Sequence, residues 1–156
     1  MLEIDHSLMT PPSLRITYVR HSTAGDGYVW DLRIAQPNVS HISMDVIHSI
    51  EHFLGSILRQ SSPNVLVVAP MGCQTGFYIV TLGISDFTEL SGLVADALSS
   101  IVDATEVPLA DTTQCGWAEN HSLAGAQSLA RWLLSRRHEW AWALAVSDTD
   151  GASRAP

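Results

Sequence analysis

Two kinds of apolar pattern occur along this chain: short stretches rich in β-branched and aromatic residues, and longer stretches in which apolar residues recur at helical spacing. The short stretches predict four strands, over residues 14–20, 28–36, 65–69 and 77–83. The Gly-rich sequence HSTAGDG separates the first two, and PMGCQTG separates the last two. The pattern therefore predicts two β-hairpins, with Cys73 at the bend of the second.

Helical spacing governs the remaining apolar stretches. From Met44 to Ser61 apolar residues recur every three to four positions, until SSPN ends the run. A second helix begins with a cap at Ser85 or Asp86. A third begins near His121 or Ser122 and continues to about residue 144.

Two hairpins interleaved with three helices indicate an α+β fold in which helices cover one face of an antiparallel β-sheet. A length of 156 residues suits one domain with a well-buried core. We expect that domain to span residues 1–146. The last ten residues, 147–156, are rich in Ser, Asp, Gly and Ala and are expected to form a frayed tail.

Composition narrows the possible partners and the compartment. The chain is 46% hydrophobic and 15% charged, and its net charge of -8 argues against a nucleic-acid surface. No apolar run approaches the roughly 18 residues of a membrane helix, and the N-terminus has no basic region of the secretory type. We expect a cytoplasmic protein, in which Cys73 and Cys115 act as ligand or catalyst rather than as a disulfide.

The predicted first helix carries a candidate metal site in the sequence VIHSIEHFLG. At about 100° per residue, His48 and His52 lie about 40° apart, and Glu51 falls about 60° to the other side of His48. Two imidazoles four residues apart can bind one ion, and a neighbouring carboxylate can transfer protons without being a ligand. Histidines at this spacing are also common as solvated or core residues, so the pair alone is weak evidence.

The third ligand separates the possible chemistries. An inverted-motif zinc peptidase has a His-x-x-Glu-His helix but takes a glutamate far downstream as its third ligand. The later acids Glu89, Glu106 and Glu119 stand in no recognisable ligand context. Cys115, in TQCGW before the third helix, is the better candidate, and its thiolate with two imidazoles suits Zn(II) or Fe(II).

Several separate stretches together resemble one family. IHSIEH, APMGCQTGFY and QCGW, the last followed by HSLAGAQSLA, are similar to blocks of the S-ribosylhomocysteine lyase (LuxS) family. DHSLM near the start and WDLR before the metal helix also resemble that family, in the same order and at similar separations. The resemblance covers about residues 4–131 and implies a fold related to that of the inverted-motif peptidases, an α/β sandwich, but not peptidase activity.

The resemblance also implies a role for each candidate residue. It implies that a homodimer builds its active sites across the subunit interface around one divalent metal per chain, with Fe(II) as the native metal and Zn(II) or Co(II) as substitutes. By resemblance, His48, His52 and Cys115 match the metal ligands, and Glu51 matches the carboxylate acid/base. Cys73 matches the catalytic thiol, Arg33 the arginine near that thiol, and His6 a substrate-side residue.

The implied reaction converts S-ribosylhomocysteine to homocysteine and 4,5-dihydroxy-2,3-pentanedione. The sugar carbonyl must move along the chain before the thiol can leave by β-elimination. A divalent metal stabilises the negative charge that develops on the sugar oxygens. Cys73 and Glu51 would carry protons between carbon and oxygen, and Arg33 or the metal would lower the pKa of the thiol.

Some positions depart from the pattern that the resemblance implies. Gln74 stands where an arginine is expected after the catalytic cysteine, Val67 where an aspartate is expected, and Met1 and Leu2 where a Ser-Phe pair is expected. These departures leave three alternatives open: a divergent lyase, an isomerase, epimerase or carbon–sulfur lyase for another sugar or nucleoside, and a non-catalytic metal-binding module. Retention of Glu51 and Cys73 argues against the last.

Overall fold

Four antiparallel strands form one sheet with the order β1-β2-β4-β3 in the computed structural model, which describes residues 5–146 and the side chains of residues 5–141. The predictions for Met1, Leu2 and the tail 147–156 lie outside the described residues. Both predicted hairpins are confirmed, because β1 pairs with β2 and β3 with β4. The strands are β1 (Ser13–Arg20), β2 (Gly27–Arg33), β3 (Val65–Pro70) and β4 (Gly76–Leu82).

The second strand ends earlier than the sequence predicts. It was expected to reach residue 36, but β2 ends at Arg33. The amides of Ile34 and Ala35 both donate to the backbone oxygen of Thr75, at 2.9 and 3.0 Å. Two successive amides on one acceptor cannot continue a regular ladder, so the chain leaves the sheet there.

Three α-helices follow the predicted order, and the first has the predicted bounds. Asp86 caps the second by accepting from the Glu89 amide, and Ser122 caps the third by accepting from the Gly125 amide. The third is shorter than predicted, because the chain continues beyond it as a 3-10 helix, Arg137–Val146. The α-helices are α1 (Met44–Ser61), α2 (Phe87–Val102) and α3 (Leu123–Ser135), and a short 3-10 helix, His6–Leu8, precedes β1.

The helices cover one face of the sheet, as the fold class requires. Side chains of β4 alternate between the faces, with Phe77 and Ile79 fully buried and Tyr78 and Leu82 exposed. Trp30 of β2 is fully buried against the helices, and its indole N–H donates to the Ile84 carbonyl oxygen at 3.2 Å. Truncating a fully buried large side chain here to alanine would cost about 2–5 kcal/mol of folding stability.

The helix-free outer face combines exposed apolar side chains with a buried ionic cluster. Tyr18, Val67, Tyr78 and Leu82 are each more than 40% exposed. Asp31, on the same face, is only 1% exposed. Within residues 5–146, no helix is both long enough and apolar enough to cross a membrane.

Candidate active site

Four side chains that can bind metal converge beside α1: His48, His52, Cys115 and His121, called here the metal cluster. Their ligand atoms all lie within 4.8 Å of one another. His48 and His52 are one turn apart on α1, whereas Cys115 and His121 belong to the irregular segment that precedes α3. The structure therefore brings together the three predicted ligands and adds His121, which the sequence analysis used only as a possible start of the third helix.

Backbone carbonyl oxygens orient both histidines of α1. His48 Nδ1 lies 2.9 Å from the Asn120 oxygen, and His52 Nδ1 lies 2.8 Å from the Pro108 oxygen. Because a carbonyl oxygen only accepts, each Nδ1 carries a hydrogen, and each Nε2 has a free lone pair for a metal. Leu109, next to Pro108, has a backbone φ of 58°, which residues other than glycine seldom adopt.

A buried serine orients His121 in the same way. The Ser49 hydroxyl donates to the backbone carbonyl oxygen of Asp45 at 2.7 Å and accepts from the backbone amide of Ser122 at 2.8 Å. A serine hydroxyl has one hydrogen, so the His121 Nδ1 atom, 3.3 Å away, must donate to it. His121 Nε2, 3.4 Å from Cys115 Sγ, is then also a lone-pair donor.

The surroundings of His121 favour its neutral form. Burial lowers the pKa of His121, and the neighbouring His48 and His52 lower it further. A neutral imidazole is the form required of a ligand. The signal that could have identified this residue from the sequence is its place just before the Ser122 cap, six residues after Cys115.

The donor set fits a thiophilic divalent ion such as Zn(II) or Fe(II). Cys115 Sγ lies 3.5 Å from His48 Nε2, close to the separation of about 3.5 Å between sulfur and nitrogen ligands of one tetrahedral ion. The rings of His48 and His121 stack with centroids 4.0 Å apart, whereas two imidazoles on one such ion stand about 5 Å apart. His121 belongs to the irregular segment before α3 and is the fourth residue of the metal cluster.

Glu51 lies on α1 beside the metal cluster. It is half-buried, and its carboxylate makes no hydrogen bond to any other residue in the range 5–141. A carboxylate without a structural partner is available to exchange protons with a bound molecule. The geometry is compatible with the acid/base role that the sequence analysis gave to this residue.

A second cluster surrounds Cys73, in the turn between β3 and β4. Cys73 Sγ lies 3.0 Å from Thr75 Oγ1 and 4.0 Å from Arg33 Nη1. Arg33 Nη1 also donates to Thr75 Oγ1 at 2.5 Å. Burial raises the pKa of the Cys73 thiol, but hydrogen bonds from Thr75 and the charge of Arg33 outweigh it, so the pKa is lowered.

A buried carboxylate holds Arg33 in this position. Asp31 accepts from Arg33 Nε at 3.1 Å and from Nη2 at 2.7 Å, a bidentate pair in which Arg33 is 2% exposed. Arg15, opposite Asp31 in the β1–β2 register, lies 3.6 Å from the same carboxylate. One negative charge between two guanidinium groups leaves a positive excess beside Cys73. Asp31, Arg33, Cys73 and Thr75 are called here the thiol cluster.

The thiol of Cys73 opens into a pocket of about 660 Å³. The predicted residue His6 lines it, together with Gln74, Thr75, His41 and the segment 37–40. Val67 does not line it and lies on the exposed outer face of the sheet. No member of the metal cluster lines it either. Within the described part of one chain, the predicted site residues therefore form two separate clusters.

The comparisons with known proteins all indicate one family. A family model described as S-Ribosylhomocysteinase (LuxS) matches residues 1–143. The S-ribosylhomocysteine lyases of Chromohalobacter salexigens and Helicobacter pylori are each 41% identical over 138 residues, which cover 88% of this chain and 89% of each relative. The S-ribosylhomocysteine lyase of Listeria monocytogenes is 38% identical over the same shares of the two chains.

Proposed function

Because the chain belongs to the S-ribosylhomocysteinase (LuxS) family, we propose that it is a carbon–sulfur lyase that cleaves S-ribosylhomocysteine to homocysteine and 4,5-dihydroxy-2,3-pentanedione. The observation that carries this proposal beyond similarity is the pairing of two unlike clusters in one chain. One cluster can hold a divalent ion, and the other holds a thiol whose pKa is lowered. The first can stabilise negative charge on sugar oxygens and the second can move protons, which suits sugar isomerisation followed by β-elimination.

The reaction requires several proton transfers before the carbon–sulfur bond breaks. The carbonyl moves from the end of the open-chain sugar toward the carbon that makes the departing thiolate a β-leaving group. Cys73, as thiolate, takes a proton from one sugar carbon and returns it to the next, while Arg33 stabilises its negative charge. A divalent ion, when bound, stabilises the negative charge on the sugar oxygens.

Glu51 and His6 complete the proposed set. Glu51, half-buried and without a structural partner among residues 5–141, transfers protons at the sugar oxygens and to the departing group. His6 lines the same pocket as Cys73 and contacts the polar part of the substrate. The Gln36 side-chain amide donates to the backbone oxygen of His6 at 3.3 Å, which ties this segment to the pocket.

We propose Fe(II) as the native metal, one per chain, with His48, His52 and Cys115 as protein ligands and Zn(II) or Co(II) as functional substitutes. Two imidazoles and one thiolate leave an open side for substrate oxygens, and His121 borders that side. A reducing cytoplasmic location would suit both this metal and the two free cysteines. Elemental analysis of protein purified without oxygen tests the identity and stoichiometry of the metal.

We also propose a homodimer in which the thiol cluster of one subunit faces the metal cluster of the other. Two observations support it: the Cys73 pocket includes no metal-cluster residue, and the outer face of the sheet exposes Tyr18, Val67, Tyr78 and Leu82. Light scattering at micromolar concentration tests the assembly. A monomer of 16.9 kDa that retained full activity would contradict a shared site.

One incubation tests the function directly. Fe(II)-loaded protein is mixed with S-ribosylhomocysteine under anaerobic conditions, and both free thiol and sugar isomers are measured over time. We expect release of homocysteine with transient ketose isomers. Isomerisation without thiol release would limit the chain to an isomerase, and absence of both would contradict the proposal.

A further inference from the structure

Thr75 is a buried polar residue to which the sequence analysis gave no role. It lies two residues after Cys73 and just before β4, and it is 2% exposed. Its side-chain oxygen is within hydrogen-bond distance of two groups of the thiol cluster, Arg33 and Cys73. A hydroxyl between a cation and a thiol can have a definite polarity, which follows from counting donors and acceptors.

The count gives the direction of each hydrogen bond. A guanidinium group has donors only, so Thr75 Oγ1 must be the acceptor in its contact with Arg33 Nη1. The single hydroxyl hydrogen is then left for the other neighbour, Cys73 Sγ, at 3.0 Å. A sulfur that accepts a hydrogen bond is favoured as thiolate over thiol, because the thiolate is the stronger acceptor.

The surrounding backbone leaves Thr75 little freedom to turn away. Its carbonyl oxygen accepts the amides of both Ile34 and Ala35. The next residue, Gly76, pairs with Arg33 across the sheet, and a Cβ on Gly76 would collide with the Leu32 carbonyl oxygen. The close approach of β4 to β2 at this point therefore depends on glycine, and it sets Thr75 directly against the Arg33 guanidinium.

We propose that Thr75 is a positioning residue for the reaction. The buried Asp31–Arg33 pair fixes the direction of its hydroxyl, and the hydroxyl donates a hydrogen bond to the Cys73 sulfur. This inference rests on the proposed catalytic use of Cys73. The Thr75 hydroxyl lies closer to the sulfur than Arg33 Nη1 does, at 3.0 Å against 4.0 Å, so it adds a short hydrogen bond to the effect of the Arg33 charge. Among the described residues, His6 and His41 are the other ionisable groups that line the pocket, and no carboxylate of residues 5–146 lines it.

The test measures the reactivity of the thiol itself, without substrate. Metal-loaded wild type, Thr75→Val and Thr75→Ser are treated with iodoacetamide over a range of pH, and mass spectrometry of peptides gives the alkylation rate of Cys73 separately from that of Cys115. Thr75→Val is nearly isosteric and removes the hydroxyl. We expect it to slow Cys73 alkylation at neutral pH about tenfold to a hundredfold, with the pH profile moved upward.

Thr75→Ser is the matched control, because it keeps the hydroxyl and removes only a methyl group. We expect its rate to stay within about threefold of wild type. Thr75→Ala, which also lacks the hydroxyl, provides the same comparison if the valine variant folds poorly. Wild-type rates in both hydroxyl-free variants, or an equal loss in Thr75→Ser, would overturn the inference. Because no turnover is measured, failure of the lyase assay would leave this result independent.

Discussion

The metal cluster and the thiol cluster orient their reactive atoms by different means. In the metal cluster, the backbone oxygens of Asn120 and Pro108 accept from the two α1 histidines. In the thiol cluster, side chains do this work, through the Asp31–Arg33 ion pair and the Thr75 hydroxyl. Backbone acceptors survive any substitution that preserves the fold, whereas side-chain acceptors can each be removed by one mutation.

This difference separates two kinds of vulnerability. The metal cluster should fail chiefly when one of its own ligands is replaced. The thiol cluster should also be weakened when Asp31 is replaced, although Asp31 contacts neither Cys73 nor the pocket. Substitutions in one cluster should leave the other intact, because no residue belongs to both in the described chain.

The largest effect should come from Cys115→Ala. Removing the thiolate leaves imidazoles alone, which bind a divalent ion more weakly, so we expect loss of most bound metal and of activity with it. Metal content by elemental analysis measures this. The matched control is Cys73→Ala, which also removes a thiol but should keep full metal content. Full occupancy in the Cys115 variant would show that the ligand is wrongly assigned.

Next in size should be the loss of turnover in Cys73→Ala and Glu51→Gln. Each removes a proposed proton-transfer group, and general acid–base catalysis contributes about 10²–10⁴-fold to rates. We expect kcat to fall in that range while metal content stays equal to that of wild type. Metal loss in the Cys73 variant would show that Cys73 is a metal ligand. Undiminished turnover in either variant would show that the replaced residue has no catalytic role.

The sequence predicts one of these clusters more completely than the other, for a physical reason. The relation of His48 to His52 follows from helix periodicity, which is local. The contact of Arg33 with Thr75 depends on the register of β2 and β4, which pairs Arg33 with Gly76. These two residues are more than forty positions apart in the sequence. Only the family resemblance placed Arg33 near Cys73.

The fold shows the same division. The bounds of α1 could be read from the spacing of apolar residues and from the terminating SSPN. The early end of β2 could not be predicted in this way. It results from a tertiary contact, in which two backbone amides donate to the carbonyl oxygen of Thr75. His121 was missed for a similar reason: its orientation depends on Ser49, which lies 72 residues earlier in the sequence, on α1.

Asp31→Asn should have a smaller effect on activity and a clear one on stability. It leaves Arg33 without its charged partner in a buried site, a change that typically costs about 3–5 kcal/mol. Urea unfolding measures it, and iodoacetamide should also alkylate Cys73 more slowly as Arg33 loses its orientation. The control is Asp26→Asn, in an exposed pair with His21, which should alter neither measurement. Wild-type stability and thiol reactivity in Asp31→Asn would show that the ion pair does not organise the thiol cluster.

The smallest effect should come from Ser49→Ala, which removes the side-chain hydroxyl that orients His121. Without the hydroxyl, His121 Nδ1 and the Ser122 amide lose a common acceptor, and the ring is free to expose either nitrogen toward Cys115. Because His48 and His52 keep their backbone acceptors, we expect metal affinity, measured by chelator competition, to fall about tenfold or less. Ser49→Thr keeps the hydroxyl and should bind as wild type does. Cys73 alkylation should be identical in all three proteins; a change there would mean that the two clusters are coupled. A loss of metal as complete as in Cys115→Ala would instead make His121 a required ligand rather than the lining of an open side.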